Sequence, residues 1–217
     1  MFWKIRVLFI RLLRRSGEFS KGEVSARAAQ LTSSWDAQWP GDAPIGYRLR
    51  EAHFDRWVRF HSLPNSKRNA DSSLEKHELL HRYRTVLHGL VTHARVGRLQ
   101  VIAVDWDAKD YSGGWTKKHL PGAWPWRTFF DPADFEPGEA LRFHYFWVSE
   151  FDLIDELDPL LLLAAEGVCQ FIVADATLTW IFAPYEGGAD VILSDERSRD
   201  DLALKHGAWL SGHPLGL

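Results

Sequence analysis

The sequence has little of the chemistry that cross-links small proteins, since it contains a single cysteine, Cys169. One thiol excludes a disulfide framework and is typical of a reducing compartment. Cys169 lies in an apolar run at residues 168–173, which predicts a buried thiol on a strand rather than an activated nucleophile. A chain of 217 residues buries enough apolar surface to fold without disulfides or a structural metal.

Strong net charge and long uncharged apolar runs are also missing. The formal net charge is −3 at pH 7, which excludes the basic footprint of most nucleic-acid-binding domains. The apolar N-terminus holds no uncharged stretch near the roughly 20 residues that span a bilayer. A secretory signal is not expected either, because Arg11 interrupts the apolar run and no small-residue cleavage site follows. We therefore predict a cytoplasmic protein without integral membrane association.

The chain divides into a short N-terminal segment and one domain. Residues 1–20 are apolar and basic, which predicts an amphipathic helix that docks on the domain, lies on a membrane surface, or is an extension upstream of the true start. Residues 21–217 have an ordinary globular composition without internal repeats, and we predict one α+β domain. Eleven tryptophans supply residues that suit surfaces both packed and polar, such as ligand clefts and protein interfaces.

Short apolar segments bounded by Gly, Pro or Asp predict an antiparallel sheet of about five strands. These segments are residues 99–106, 141–147, 168–174, 178–183 and 189–193, and the close spacing of the last three indicates hairpins. Gly187 and Gly188 separate the last two segments, which favours a hairpin turn over a phosphate-binding loop. Residues 56–61 alternate polar with apolar and predict one further, half-buried strand.

Helices are predicted around this sheet. Ser72 and Glu75 form a capping box before an apolar face with helical spacing, which extends to Val91. Further helices are predicted at residues 22–31, at 151–165 with a restart at Pro159, and at 195–205 with an acidic start. The helices that begin near Ser72 and Asp195 are expected to cover one face of the sheet.

One motif matches a zinc-peptidase signature. His77, Glu78 and His81 fit the pattern H-E-x-x-H on a predicted helix, where both imidazoles would lie on one face and the glutamate could activate a zinc-bound water. Glu75 and Arg82 occupy positions that are normally uncharged in proteins resembling this motif, because a buried unpaired charge is costly. We therefore predict no metal and no cofactor, with a zinc site at His77 and His81 as the alternative.

A second cluster is rich in hydrogen-bond donors. Residues 56–68 combine arginine, lysine, histidine and serine in one strand and the loop after it, a mixture that suits phosphate or carboxylate groups. His81 and Arg84 share one stripe of the following helix. We predict that these side chains line a single anion-binding groove, with the binding residues Arg59, His61, Ser66, Lys67, Arg68, His81 and Arg84.

The segment at residues 111–126 is too long and too rich in tryptophan to be a passive connector. Trp115 and Lys117 combine a stacking surface with a positive charge, a mixture found at binding hot spots. We predict an ordered surface loop here that adds Trp115 and Lys117 to the binding residues, with packing of the tryptophans against the core as the alternative.

Two runs carry a resemblance to a known group of proteins. Residues 59–68 and 184–193, with Trp209, Leu210 and Ser211, resemble an uncharacterised family of small bacterial cytoplasmic proteins, and the resemblance extends over residues 48–217. It implies no activity and no catalytic residues. In size, this family is similar to immunity proteins of bacterial toxin systems.

We therefore predict a non-enzymatic binding protein, with a toxin or a small anionic ligand as its partner. An immunity protein that blocks a toxin through a tryptophan-rich surface is one form of this hypothesis. The alternative is a hydrolase. It would be either a zinc peptidase using His77, Glu78 and His81 or an enzyme acting on phosphorylated substrates through Arg59, His61, Lys67 and Arg68.

Overall fold

Seven strands form one sheet in the computed structural model, which describes residues 26–93, 98–105, 114–120, 122–129 and 143–212. The strands are β1 (Trp57–His61), β2 (Leu99–Asp105), β3 (Trp124–Phe129), β4 (His144–Phe151), β5 (Gln170–Ala174), β6 (Ile181–Tyr185) and β7 (Gly188–Ile192). Their order across the sheet is β1-β7-β6-β5-β2-β4-β3. Every neighbouring pair is antiparallel, so the predicted α+β class and the antiparallel sheet are confirmed.

The sheet has seven strands rather than the predicted five or so, because it also includes β1, the further strand predicted at residues 56–61, and β3, which was not predicted; these two strands form its edges. β1 pairs with β7, from Trp57 opposite Ile192 to His61 opposite Gly188. β3 pairs with β4 through a register shift near Pro125. Proline removes a ladder hydrogen bond and is therefore confined to edges and bulges, which explains why the pattern of residues 124–129 does not indicate a strand.

Six helices are described: α1 (Ala26–Gln38), α2 (Gly46–Ala52), α3 (Ser73–His93), α4 (Gly114–His119), α5 (Asp158–Ala165) and α6 (Glu196–Lys205). The predicted starts of α3 and α6 have the expected caps. The Ser72 hydroxyl accepts a hydrogen bond from the Glu75 amide at 3.2 Å, and the Asp195 carboxylate accepts one from the Ser198 amide at 2.8 Å. Pro159 lies in the first turn of α5, where its missing N–H costs nothing.

The sheet is covered on both faces, because its inner strands are apolar at successive positions. Val101 and Ala103 belong to a core shared with α3, α5 and Leu202 of α6, which we call the α3 face. Ile102 and Val104 belong to a second core shared with α1 and α2, which we call the α1 face. The α3 face therefore carries the two predicted covering helices, and the α1 face is covered by helices near the N-terminal end of the described chain.

The predicted hairpin and the predicted buried cysteine are both found among the described residues. β6 and β7 form the predicted hairpin, and Gly187 supplies the positive φ of +97° that its turn needs. Cys169 is buried, and burial raises the pKa of its thiol to about 12, as expected for an inert thiol. The predicted N-terminal helix at residues 1–20 lies outside the described residues. No helix in the described ranges is long and apolar enough to cross a membrane.

Candidate functional site

Strand β1 sends its side chains alternately to the two faces of the sheet. Val58 and Phe60 belong to the core of the α3 face, whereas Trp57 belongs to the core of the α1 face. Arg59 is two residues from Trp57, so its guanidinium also lies on the α1 face. There it meets Asp190, its direct partner in β7.

Asp190 is a buried carboxylate between two guanidinium groups. Arg59 donates from Nε to its Oδ1 at 3.0 Å, and Arg50 of α2 donates from a terminal nitrogen to its Oδ2 at 3.4 Å. The Asp190 side chain is 4% exposed, that of Arg59 13% and that of Arg50 23%. The cluster therefore holds two positive charges and one negative charge away from bulk water, where each interacts strongly with its neighbours.

Aromatic rings fix Arg59 more firmly than Arg50. The Arg59 guanidinium lies 5.2 Å from the ring centres of both Trp57 and Tyr185, within the range of a cation–π contact. Burial lowers the pKa of Arg59, but the hydrogen bond and charge of Asp190, together with Tyr185, outweigh burial and leave that pKa above its usual value. Burial, and then the charge of Asp190, raise the pKa of the Tyr185 hydroxyl, so Tyr185 stays protonated and can donate.

A cleft of about 180 Å³ opens beside this cluster, between α2 and strands β5 to β7. Arg50, Tyr185 and Asp190 form its polar end. The remaining walls are largely apolar, with Ile45, Val104, Phe171, Ile172, Ala183 and Pro184. This combination of apolar walls with a few convergent polar groups is typical of small-molecule sites.

The α2 wall of the cleft is held in place by its flanking residues. Gly46 lies so close to β6 that a Cβ there would be 2.6 Å from the Ala183 Cβ, so a side chain would push α2 off the sheet. Before α2, the Trp39 indole donates to the Leu178 carbonyl at 3.0 Å. After α2, His53 Nε2 lies 2.7 Å from a carboxylate oxygen of Asp42. These contacts at both ends indicate a preformed wall.

The prediction of one groove that contains both Arg59 and His81 is wrong. α3 packs on the opposite face of the sheet from the Arg59 side chain, with Leu79, Tyr83 and Leu87 in the core of the α3 face. His81 is exposed and meets the edge of the Trp209 ring at 6.3 Å. Proximity along the chain suggested a shared groove, but alternation along β1 sends Arg59 to the other face.

The other cations of the predicted groove are paired with acids. Arg84 donates from Nε to Asp158 at 2.7 Å, and its terminal nitrogen contacts the same carboxylate. Lys67 pairs with Asp71 and Glu75, and Arg68 lies 3.8 Å from Glu186. Ser66 is exposed in a 3-10 turn. The structure therefore spreads these residues along the surface, and their role in binding stays a prediction.

His61 lies at the end of β1 and is half-buried. Burial lowers the pKa of its imidazole, a backbone hydrogen bond with Gly187 opposes this effect, and the charges of Arg59 and Arg82 add to the lowering. A neutral His61 is therefore favoured near pH 7, so it would bind an anion as a hydrogen-bond donor rather than as a cation.

The H-E-x-x-H residues lie on α3 as predicted, but their side chains are engaged elsewhere. Glu78 accepts a hydrogen bond from Arg82 Nε at 2.7 Å, which occupies the carboxylate that would activate water. His77 Nδ1 contacts the Ser73 carbonyl at 2.7 Å within the same helix. Within the described ranges, no group of three His, Cys, Asp or Glu side chains is placed to hold a metal ion.

The tryptophan-rich segment contains regular structure in its described part. Trp115 and Lys117 lie on the short helix α4, and residues 124–126 begin β3. The Trp115 indole donates to the Val104 carbonyl at 3.0 Å, and its ring packs against the core of the α3 face. Lys117 is exposed. Residues 111–113 and 121 lie outside the described residues, and binding by Trp115 and Lys117 stays a prediction.

Sequence reasoning found Arg59 but missed Arg50, Tyr185 and Asp190. The sequence could have indicated Asp190 as a candidate, because it is the one charged residue inside the otherwise apolar segment at residues 189–193. A charge at a buried strand position requires a partner of opposite charge. Arg50 has no comparable signal, since its place on the α1 face depends on the packing of α2 against β6 and β7.

The chain belongs to a family of unknown function, since the family model described as Domain of unknown function (DUF3885) matches residues 45–214. This range covers more than half of the chain and includes Arg50, Arg59, Tyr185 and Asp190. The comparisons with curated proteins and with solved structures give no match. The predicted membership of an uncharacterised family is thus confirmed, whereas bacterial origin and similarity to immunity proteins stay predictions.

Proposed function

We propose that this chain is a non-enzymatic binding protein that holds a small organic anion in the cleft between α2 and the sheet. The observation that carries the proposal is the Arg50–Asp190–Arg59 cluster at the polar end of that cleft. Two guanidinium groups and one carboxylate leave one positive charge uncompensated within the cluster. A monovalent anion would neutralise it.

Arg50 is the cation that would meet the ligand. It lines the cleft, and its contact with Asp190 is longer than that of Arg59, at 3.4 Å against 3.0 Å. Its guanidinium carries five N–H donors, of which Asp190 uses only part, so a carboxylate can take two in a bidentate contact. Arg59 would keep Asp190 ionised and in place while Arg50 turns toward the ligand.

The cleft limits the ligand by size as well as by charge. Its volume of about 180 Å³ is below the ~300–1,000 Å³ typical of pockets for drug-sized molecules. Ile45, Val104 and Ile172, which belong to the core of the α1 face, would contact an apolar body beside the anionic group. A short aliphatic or aromatic carboxylic acid has the required combination of one charge and a compact apolar part.

The other predicted functions have less support. A toxin-immunity role would use exposed side chains such as Lys117, and no observation favours a protein partner over a small ligand. A peptidase would need Glu78, which is paired with Arg82. An enzyme for phosphorylated substrates would need Arg59 and Lys67 together, but Lys67 pairs with Asp71 and Glu75.

Binding of simple carboxylates tests the proposal. Isothermal titration calorimetry should detect butyrate at millimolar concentration. Butanol and butylamine, which have the same number of carbon atoms, should bind at least about tenfold more weakly because they lack the negative charge that pairs with Arg50. Arg50→Gln should abolish the difference. Arg98→Gln is the matched control, because Arg98 is an exposed arginine that pairs with Asp152. Equal binding of butanol, or unchanged butyrate binding by Arg50→Gln, would contradict the proposal.

A further inference from the structure

A second cavity of about 330 Å³ lies on the α3 face, between α3, α6 and the neighbouring ends of β6 and β7. Its apolar wall consists of Leu90, Trp180, Leu193 and Leu202. Its polar wall consists of Thr179, Ser194, Ser198, Asp201 and Lys205. None of these residues belongs to the cleft beside Arg50, so the two sites are independent.

Gly89 lines this cavity from the interior of α3, a helix of 21 residues. Glycine destabilises a helix interior relative to alanine, so a helix normally keeps it there only for conformation or packing. Neither reason applies, because the φ of Gly89 is not positive and an added Cβ would meet its nearest neighbours at 3.7 to 4.0 Å, which are ordinary contacts. Gly89 therefore makes α3 less stable than alanine would, and the missing side chain leaves open volume at the cavity wall.

The two charges of the polar wall are available to a ligand. Asp201 and Lys205 are four residues apart on α6, the spacing at which opposite charges normally pair. In the part of the chain that the structure describes, neither forms an ion pair. Lys205 Nζ instead lies 3.7 Å from the position that a Gly89 Cβ would occupy, so the ammonium group faces the wall of the cavity.

We propose that this cavity binds a small zwitterion of the α-amino acid type with an aliphatic side chain. The carboxylate of the ligand would pair with Lys205 and its ammonium group with Asp201, one helical turn apart. The aliphatic part would pack against Leu90, Trp180 and Leu193, in the volume that Gly89 leaves open. Asp201 and Lys205 are exposed and form no ion pair with described residues, so both side chains are accessible to such a ligand, and each would gain a charged partner.

Three related probes test the chemistry of the ligand. Leucine carries both charges, 4-methylpentanoate lacks the ammonium group, and 3-methylbutylamine lacks the carboxylate. In isothermal titration calorimetry, leucine should bind about tenfold or more tightly than either probe with a single charge, because each missing group removes one charge-assisted contact. Lys205→Gln should weaken leucine and 4-methylpentanoate while leaving 3-methylbutylamine unchanged. No binding of leucine, or equal binding of the three probes, would overturn the proposal.

The Gly89→Ala variant tests whether Gly89 serves ligand binding or the stability of the fold. Without ligand it should unfold at a higher temperature, by roughly 2–4 °C in thermal denaturation. It should bind leucine at least about tenfold more weakly, because the added methyl group would lie 3.7 Å from the Lys205 ammonium group that pairs with the ligand carboxylate. Thr85→Ala, one turn earlier on the same helix, is the matched control that should leave leucine affinity unchanged. A lower unfolding temperature for Gly89→Ala would mean that glycine is needed for structure, and unchanged leucine affinity would place the ligand elsewhere; either result overturns the proposal.

Discussion

Replacing Asp190 by alanine should cost about 3 kcal/mol of unfolding free energy. Removing one partner of a buried ion pair typically costs about 3–5 kcal/mol, because the remaining charge stays buried without compensation. The Arg59 side chain is only 13% exposed, so most of this penalty applies to it. Arg50 is 23% exposed and can turn toward water in the cleft, which places the loss near the lower end of that range.

Urea denaturation followed by tryptophan fluorescence measures this loss, since a typical domain has about 5–15 kcal/mol of stability and the variant stays folded. The control is Asp152→Ala, because Asp152 pairs with Arg98 at the surface with 67% of its side chain exposed. That variant should change stability by no more than about 0.5 kcal/mol. A loss below about 1 kcal/mol for Asp190→Ala would refute the description of the cluster as a buried, charge-compensated unit.

Three further outcomes are expected. The free energy of unfolding should fall as the pH drops from about 7 toward 5, because burial lowers the pKa of His61 and His206 in the folded protein and the unfolded chain then takes up more protons. Urea denaturation across this pH range measures the decrease, which should be smaller in His206→Gln. A free energy of unfolding that rises on acidification would contradict this prediction. Replacing both His77 and His81 by alanine should change stability by no more than about 0.5 kcal/mol, since both are exposed; near-stoichiometric zinc in the purified protein would show instead that they hold a metal. Trp115→Ala should cost about 2 kcal/mol because its half-buried ring and its hydrogen bond to Val104 are lost, whereas Lys117→Ala should be neutral in the same assay; equal losses would mean that Lys117 also packs.

Sequence patterns predicted the structural features that depend on only a few consecutive residues. The caps at Ser72 and Asp195 and the hairpin at Gly187 are of this kind, because each depends on one turn of backbone. The order of the strands in the sheet depends on more distant partners. β1 pairs with β7, more than 100 residues later, and no local pattern indicates which strand another will pair with.

The candidate site was predicted only in part for the same reason. Arg59 was found because it lies in a cluster of cations, but its partners come from α2 and from β7. The predicted groove failed because the direction of a strand side chain follows its register, and that register is set by pairing with Asp190 rather than by the loop that leads to α3.

Burial of the Arg50–Asp190–Arg59 cluster is not explained by stability. Its neighbours on the α1 face, Ile181 and Ile192, are apolar. Replacing a buried ion pair by apolar residues of similar size is often neutral or stabilising, so a gain in stability does not account for charges at these positions. The cluster also lies beside a preformed cleft, whereas surface pairs such as Arg84 with Asp158 lie where charge costs little. A buried charged cluster at the end of an apolar cleft therefore supports the proposal that the cleft binds an anion.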